Sequence, residues 1–244
     1  MSLAIPTITQ LRQWVKKRNS PLARSTYHTV MALRHIEVPL VRPIHSLLYR
    51  LHHLLRCLIA SVMRIGYWTP LFRTRVEGPV RRLFLYSGMP QLLGPLRIRI
   101  GADCRISGHT TFSGRSSAPL TPLLAVGDNV DISWQTTIAV GNMVVIGNNV
   151  RIAGRCFLAG YPGHPLDPEA RACGLPETDD QVGDIILEDD VWLATGVSVM
   201  AGVTIGRATV VAAGSVVTHD LPPGVLAAGV PARVIRRIVS RERV

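Results

Sequence analysis

A histidine in a loop bounded by Gly and Pro is the residue whose type and setting most readily suggest chemistry. His164 lies between Gly163 and Pro165, so its backbone is permissive on one side and restricted on the other. A neutral imidazole near pH 7 can take the proton from a hydroxyl group that is about to act as a nucleophile. An exposed loop histidine without a chemical role would have the same local sequence, so the surrounding chain has to decide between the two.

Other kinds of reactive site find little support. A catalytic zinc site of the carbonic-anhydrase kind needs three histidines, two of them close in sequence, whereas His109, His164 and His219 stand far apart. We therefore expect no metal site. The four cysteines form no CxxC motif and no paired spacing, which is typical of a reducing compartment; they are Cys57, Cys104, Cys156 and Cys173.

The element that must position His164 is a six-residue repeat that begins soon after it. Aliphatic residues occupy every sixth position from 187 to 217, namely Leu187, Leu193, Val199, Ile205, Val211 and Val217. This period matches neither an α-helix nor one continuous strand. It predicts a solenoid of short strands, each with one aliphatic side chain pointing inward. The same rhythm starts at Ile100, breaks at residues 113–125 and stops at an insertion, 159–186, that contains His164. Insertions of this kind project from the corners of a solenoid and often carry its binding function.

The positive charge of the chain is concentrated before the repeat. The net charge is +11, and residues 1–99 carry 16 Lys and Arg against 2 Asp and Glu, whereas residues 100–244 carry 11 against 14. Residues 44–66 have a helical pattern, with Leu and Ile on one side and Arg and His on the other. One interpretation is a helix packed on the body of the protein or on a neighbouring subunit. The other is a basic amphipathic helix on an anionic membrane surface. No motif or aromatic interleaving supports nucleic-acid binding.

These patterns divide the chain into three parts. We expect a basic, mainly helical N-terminal region at 1–96, a repeat region at 97–220 and a C-terminal turn with a basic tail at 221–244, which includes Arg241 and Arg243. Charged residues near the N-terminus interrupt any signal-peptide layout, and no apolar run is long enough for a transmembrane helix. We therefore expect a cytoplasmic protein, with peripheral contact at the inner face of the membrane as an option.

Three stretches make the chain resemble a known family. They are Gly-His-Pro-Leu-Asp-Pro-Glu at 163–169, the repeats at 187–206, and the segment 213–235 with its Ala-Gly-Val-Pro-Ala-Arg motif. Over about residues 97–240 the chain resembles the hexapeptide-repeat O-acetyltransferases, in particular the maltose/galactoside acetyltransferases and bacterial polysaccharide O-acetyltransferases. The resemblance implies a mainly β fold, the left-handed parallel β-helix, which departs from the usual right-handed crossover. It also implies acetyl-CoA as the donor and a homotrimer with sites between neighbouring subunits.

The resemblance also assigns roles to individual residues. It makes His164 the catalytic base, and Asp167, Glu169 or Glu177 could orient its imidazole. The positions that contact coenzyme A in this family correspond here to Thr195, Ala213, Thr218, Arg233 and Arg236. His219 stands where a lysine commonly follows the threonine, a departure that could weaken the contact with the nucleotide phosphates. Near the acceptor, the matching positions are Ser133 and Asn142.

The reaction implied is transfer of an acetyl group to a sugar hydroxyl. The basic N-terminal region replaces the short segment typical of the maltose/galactoside enzymes, which favours a surface polysaccharide or a lipid-linked glycan precursor as the acceptor. Two alternatives stay open. One is another small acceptor, such as an antibiotic, serine or an amino sugar, and the other is a non-catalytic β-helix that serves as a scaffold.

Overall fold

A computed structural model of the chain describes residues 7–238. The end of the predicted basic tail, with Arg241 and Arg243, lies outside these residues. The chain forms two compact units that divide between Leu55 and Arg56. Among the described residues, no helix is long and apolar enough to cross a lipid bilayer.

The N-terminal unit is helical, as the sequence predicts. Its helices are α1 (Ile8–Lys17), α2 (Pro21–Arg34) and the first part of α3 (Arg42–Met63). Thr7 caps α1 in a capping box with Gln10, and Ser20 caps α2 ahead of Pro21. Between Thr7 and Leu55 only Ala23 is buried. This unit therefore has almost no apolar core of its own.

The second unit begins with the end of α3, a π-helical turn at Arg64–Trp68 and α4 (Thr69–Arg73). A coil of short strands follows. Its first three turns contain β1 (Phe84–Tyr86), β2 (Gln91–Leu93), β3 (Arg97–Ile100), β4 (Arg105–Ser107), β5 (Thr111–Gly114), β6 (Leu123–Val126), β7 (Asp131–Ile132), β8 (Thr137–Val140) and β9 (Met143–Ile146). The later turns contain β10 (Arg151–Ile152), β11 (Phe157–Ala159), β12 (Ile185–Leu187), β13 (Trp192–Leu193), β14 (Ser198–Met200), β15 (Thr204–Ile205), β16 (Val210–Val211), β17 (Val216–Val217), β18 (Val225–Gly229) and β19 (Ala232–Arg237).

Up to β17, each strand stacks on the strand three positions earlier in the chain, which produces three sheets. Sheet 1 has the order β1-β4-β7-β10-β13-β16-β18-β19, sheet 2 is formed by β2, β5, β8, β11, β14 and β17, and sheet 3 by β3, β6, β9, β12 and β15. All pairs are parallel except β18 with β19, which form an antiparallel hairpin at the end of sheet 1. This is the solenoid that the six-residue period predicts, with about one period per face.

The coil begins earlier in the chain than the repeat pattern does. Strand β1 lies before residue 97, where the sequence analysis places the start of the repeat region. Leu85 and Leu92 are the inward residues of the first two strands, and they are seven residues apart. The six-residue rhythm therefore misses this first turn of the coil.

Sharp corners between the sheets allow each turn to close. Corner 1–2 joins sheet 1 to sheet 2, corner 2–3 joins sheet 2 to sheet 3, and corner 3–1 returns to sheet 1. At corner 3–1 the backbone of Asp103, Asn129, Asn149 and Asp190 has positive φ. Asp and Asn tolerate this left-handed conformation better than other residues with a Cβ. These polar residues between the strands therefore have a structural role, because they allow the turns of the coil to close.

The interior is filled by inward side chains that are mostly aliphatic, one from each short strand and two from longer strands such as β3, β6, β9 and β12. Leu193 and Val211 stack on sheet 1, and Leu158 and Val199 stack in register on sheet 2; all four are fully buried. Burial of this kind is the main favourable contribution to the stability of the coil.

Two long loops leave the coil at corner 2–3, at residues 115–122 and 160–184. The guanidinium of Arg115 lies between them. Its Nε donates hydrogen bonds to Ser117 Oγ, at 2.8 Å, and to Glu177 Oε1, and its Nη2 pairs with Asp179 at 2.8 Å. Arg115 and Glu177 are 3% and 6% exposed. A buried ion pair thus ties the insertion that contains His164 to the neighbouring loop.

We expect inward and outward valines of one strand to differ in their contribution to stability. Val211→Ala removes two buried methyl groups and should lower the free energy of unfolding by about 2 kcal/mol. Val210→Ala changes the outward side chain of the same strand and should lower it by less than about 1 kcal/mol. Chemical denaturation of both variants measures the difference, and equal losses would contradict the assignment of faces.

We also expect the buried ion pair to stabilise the insertion. Arg115→Met leaves the Glu177 carboxylate buried without its cation and should cost about 3–5 kcal/mol. Arg82→Met, which breaks the exposed pair with Asp103, should cost much less, because water solvates both partners and screens their attraction. The measurement is denaturation, together with limited proteolysis of residues 160–184. Comparable stability of the two variants would contradict a role for the buried pair.

The dependence of stability on pH provides an independent test of the Arg115–Glu177 pair. Burial alone would raise the pKa of Glu177, but hydrogen bonds from Ser117, from its own backbone N–H and from Arg115 outweigh burial and lower this pKa below its ordinary value of 4.5. As the pH falls below 4.5 the unfolded chain takes up the proton first, so the contribution of Glu177 to stability is lost. The wild type should therefore lose more stability in this range than Arg115→Met does.

Candidate active site

His164 lies near the start of the insertion at corner 2–3. Gly163 has φ of +81°, a conformation that side chains with a Cβ rarely adopt. His164 is exposed, whereas Pro165 is buried against the protein. The chain therefore turns at Gly163 and is anchored directly after His164, which leaves the imidazole at the surface.

A short helix holds the segment that follows His164. Helix α5 (Pro168–Ala172) starts at Asp167, whose carboxylate accepts a hydrogen bond from Ala170 N at 2.7 Å. Arg171 turns back and donates to the carbonyl oxygens of Pro165 and Leu166, at 2.9 and 3.0 Å. The backbone next to His164 is therefore positioned by bonds within its own loop.

None of the three acids that could orient the imidazole forms a hydrogen bond with it. Asp167 caps α5, Glu169 lies in the first turn of that helix, and Glu177 is held by Arg115 and Ser117. Within residues 7–238, His164 has no hydrogen-bond partner. The ring nitrogens are therefore available to a substrate or to a group from outside this chain.

Other predicted residues lie at the same corner as the insertion. Asn142 is exposed at corner 2–3, one turn of the coil before His164. Thr218 and His219 are exposed at this corner two turns after it, and the Thr218 hydroxyl lies 2.8 Å from Nδ1 of His219. Corner 2–3 thus carries polar side chains on both sides of the insertion.

The remaining predicted residues of the coil lie at a different corner. Ser133, Thr195 and Ala213 are on corner 1–2. Thr195 and Ala213 are exposed on successive turns, and Gly214 N donates to Thr195 O at 3.0 Å. Corners 1–2 and 2–3 are the opposite edges of sheet 2. The predicted donor residues Thr195 and Ala213 therefore lie at a different corner of the coil from the insertion that contains His164.

Two arginines on the terminal hairpin carry free positive charge. Arg233 and Arg236 are exposed on β19. Their guanidinium groups donate to backbone oxygens of Ala232 and Arg237, at 3.1 and 3.3 Å. Neither pairs with a carboxylate of residues 7–238. Exposed guanidinium groups that are not paired with a carboxylate can donate hydrogen bonds to phosphate oxygens.

Several contacts that shape the site were not predicted from the sequence. Arg171 follows Asp167 at i+4, a spacing that could have indicated an interaction on α5. Arg115 and Glu177 are 62 positions apart, and no local pattern connects them. Trp134 is exposed beside Ser133, and the guanidinium carbon of Arg155 lies 5.0 Å from the centre of its indole.

Among residues 7–238, no group of three His, Cys, Asp or Glu side chains could hold a metal ion.

Known proteins with related sequences cover the coil. Residues 184–219 match the family model described as bacterial transferase hexapeptide (six repeats). The galactoside O-acetyltransferase of Escherichia coli is 41% identical over 118 residues, which are 48% of this chain and 56% of that protein. The galactoside O-acetyltransferase of Lactococcus lactis is 35% identical over 150 residues, which are 61% of this chain and 67% of that protein. The chain thus spans about half the length of the Escherichia coli protein and two thirds of the Lactococcus lactis protein.

Solved structures show the same fold. One of them is AntD, an N-acyltransferase from Bacillus cereus that was crystallised with a dTDP-linked amino sugar and coenzyme A. Its similarity to this chain has a TM-score of 0.57 at 18% sequence identity, and it covers 70% of this chain and 89% of AntD. The predicted fold class, a left-handed parallel β-helix preceded by helices, is confirmed. From the three-sheet coil, the matched repeats and the Lactococcus lactis relative together, we conclude that the chain belongs to the family of hexapeptide-repeat acetyltransferases.

Proposed function

We propose that the protein transfers an acetyl group from acetyl-CoA to a hydroxyl group of a sugar. The observation that carries this proposal is the exposed imidazole of His164 at the start of the insertion, which has no hydrogen-bond partner among residues 7–238. Its setting, Gly-His-Pro-Leu-Asp, turns at Gly163 and is held by the hydrogen bonds that Arg171 donates to the carbonyl oxygens of Pro165 and Leu166. Similarity to galactoside O-acetyltransferases supports the choice of a sugar hydroxyl.

The reaction follows from the chemistry of a thioester and an imidazole. The neutral ring of His164 accepts the proton of the sugar hydroxyl while its oxygen attacks the carbonyl carbon of the acetyl group. The C–S bond then breaks, and the protonated imidazole returns the proton to the sulfur of coenzyme A. The products are an acetyl ester and a free thiol. A backbone N–H is the natural donor to the oxyanion that forms between the two steps.

The donor would lie along the small and exposed residues of the late turns. Thr195 and Ala213 leave room at corner 1–2 for the pantetheine arm to run beside the backbone. Arg233 and Arg236 would hold the phosphates. The Thr218–His219 pair would contact the nucleotide with less charge than a lysine at position 219 provides.

Catalysis would require more than one copy of the chain. Because Thr195 and Ala213 lie at the opposite edge of sheet 2 from His164, we place the reacting groups between neighbouring subunits of a homotrimer. Threefold symmetry then gives three equivalent sites. Ser133 and Asn142, which also lie at different corners, would contact the acceptor from two subunits.

The acceptor would be a surface polysaccharide or a lipid-linked glycan precursor. The helical N-terminal unit and its basic charge support an acceptor held at the inner face of the membrane, in the cytoplasm where acetyl-CoA is available. A screen of acceptors with acetyl-CoA distinguishes this from a small acceptor such as an antibiotic, serine or an amino sugar. Binding of coenzyme A without turnover of any acceptor would indicate a scaffold.

We expect His164→Ala to lower kcat by a factor of about 10² to 10⁴, because the variant lacks the base that removes the hydroxyl proton. The KM for acetyl-CoA should change little. His35→Ala, a change of an exposed histidine at the end of α2, is the matched control and should retain activity. Release of the thiol in the presence of acceptor measures the rate. An unchanged rate for His164→Ala would refute its role as the base.

We expect Arg233→Ala and Arg236→Ala each to raise the KM for acetyl-CoA about tenfold, because each removes a charge-assisted hydrogen bond to phosphate. Arg237→Ala, on the same strand, is the matched control and should leave KM within about twofold. Steady-state kinetics with varied acetyl-CoA measures the effect. If all three variants behave alike, the arginines act through total charge and do not form a site.

A further inference from the structure

Helix α3 has a long aliphatic face that no described residue covers. Nine side chains share this face, which takes up less than half of the helix circumference: Ile44, Leu47, Leu48, Leu51, Leu54, Leu55, Leu58, Ile59 and Val62. Their exposed fractions run from 52% to 65%. No residue of α3 is buried. An aliphatic stripe of this length is far larger than the scattered apolar side chains that are normal on a protein surface.

The other face of α3 is basic. Arg42, Arg50 and Arg56 lie there together with histidines. The sequence contains no Asp or Glu between Val38 and Val76. An apolar stripe combined with a cationic face is the pattern of helices that lie in the plane of a membrane interface.

Helices α1 and α2 also combine apolar and positively charged side chains, over a smaller area. A groove of about 550 Å³ lies between them. Leu11, Val15 and Val30 contribute apolar surface to it, and Arg12, Lys16 and Arg34 contribute positive charge. Apolar surface bordered by cations suits the acyl chains and the anionic headgroup of a lipid.

Charge decides between the two partners that could cover the face of α3. A second copy of the helix could cover the aliphatic face, but it would offer no carboxylate to the arginines of the opposite face, because the segment contains none. An anionic bilayer supplies acyl chains for the aliphatic side chains and phosphates for the arginines. Twelve Lys and Arg side chains face a single carboxylate, Glu37, between Thr7 and Val76, so the whole segment is attracted to such a surface.

We propose that α3 and the helical N-terminal unit bind the surface of an anionic lipid bilayer. Helix α3 lies parallel to the surface, with its aliphatic face at the level of the first acyl carbons and its arginines at the headgroups. This binding does not depend on acetyl transfer, so His164→Ala should bind vesicles as the wild type does.

Flotation of the full-length chain with lipid vesicles tests the proposal. The wild type should float with vesicles that contain phosphatidylglycerol and phosphatidylcholine, and should not float with phosphatidylcholine alone. The double variant Leu54→Gln and Leu58→Gln should lose about tenfold or more in partitioning, because two aliphatic side chains no longer enter the bilayer.

The control variant Leu120→Gln changes a leucine that is 82% exposed in the loop at 115–122, and it should bind like the wild type. Arg50→Gln with Arg56→Gln should weaken binding, most clearly at low salt.

Two results would overturn the proposal. One is a wild type that does not float with phosphatidylglycerol vesicles, or that floats no better with them than with phosphatidylcholine alone. The other is a double leucine variant that binds vesicles normally but has a smaller molar mass by light scattering, since the face would then be a contact between subunits. Because the substituted side chains are exposed, circular dichroism should show that the variants remain folded.

Discussion

The coil depends on closing each turn within a few residues. Three corners must be made in one turn, and many of them pass through a residue in the left-handed conformation, which few residues with a Cβ adopt readily. Asp and Asn supply this conformation at corner 3–1, and glycines such as Gly196 and Gly214 supply it at corner 1–2. Once the corners are set, the strands between them are short, and one or two inward side chains per strand fill the interior.

This constraint also determines where function can be added. The strands of successive turns pair in register, so an insertion inside a strand would break two ladders of hydrogen bonds. At a corner, in contrast, the chain can leave and return without disturbing its neighbours. Both long loops use corner 2–3, and because they lie two turns apart the buried pair of Arg115 and Glu177 can join them. His164 is thus carried by a loop that has its own interior anchor.

The two units of the chain are stabilised in different ways. The coil has a continuous aliphatic core, whereas residues 7–55 bury only Ala23 among themselves and their surroundings. Capping by Thr7 and Ser20 favours the helices locally, but capping contributes only about 1 kcal/mol per helix. A segment of this kind gains its main apolar contacts from a partner. Its amphipathic pattern and its positive charge are what we use to infer that the partner is a lipid surface.

The sequence by itself determined the features that repeat or are local. The six-residue period from Leu187 to Val217 predicted the coil, and the pattern of residues 44–66 predicted α3. Both are relations between residues a few positions apart, and such relations are set by the geometry of a strand or a helix. The proposed role of His164, in contrast, rests on the resemblance of its motif to a known family. The first turn of the coil was missed because Leu85 and Leu92 break that period.

Only the tertiary structure decided which distant residues meet. It paired Arg115 with Glu177 across 62 positions, used Asp167 and Glu177 for structural bonds, and placed Ser133, Thr195 and Ala213 at a different corner from His164. These relations depend on how many residues each turn contains and on which corner holds an insertion. A shift of one corner would move a side chain to another face of the coil, so no local pattern could have predicted them.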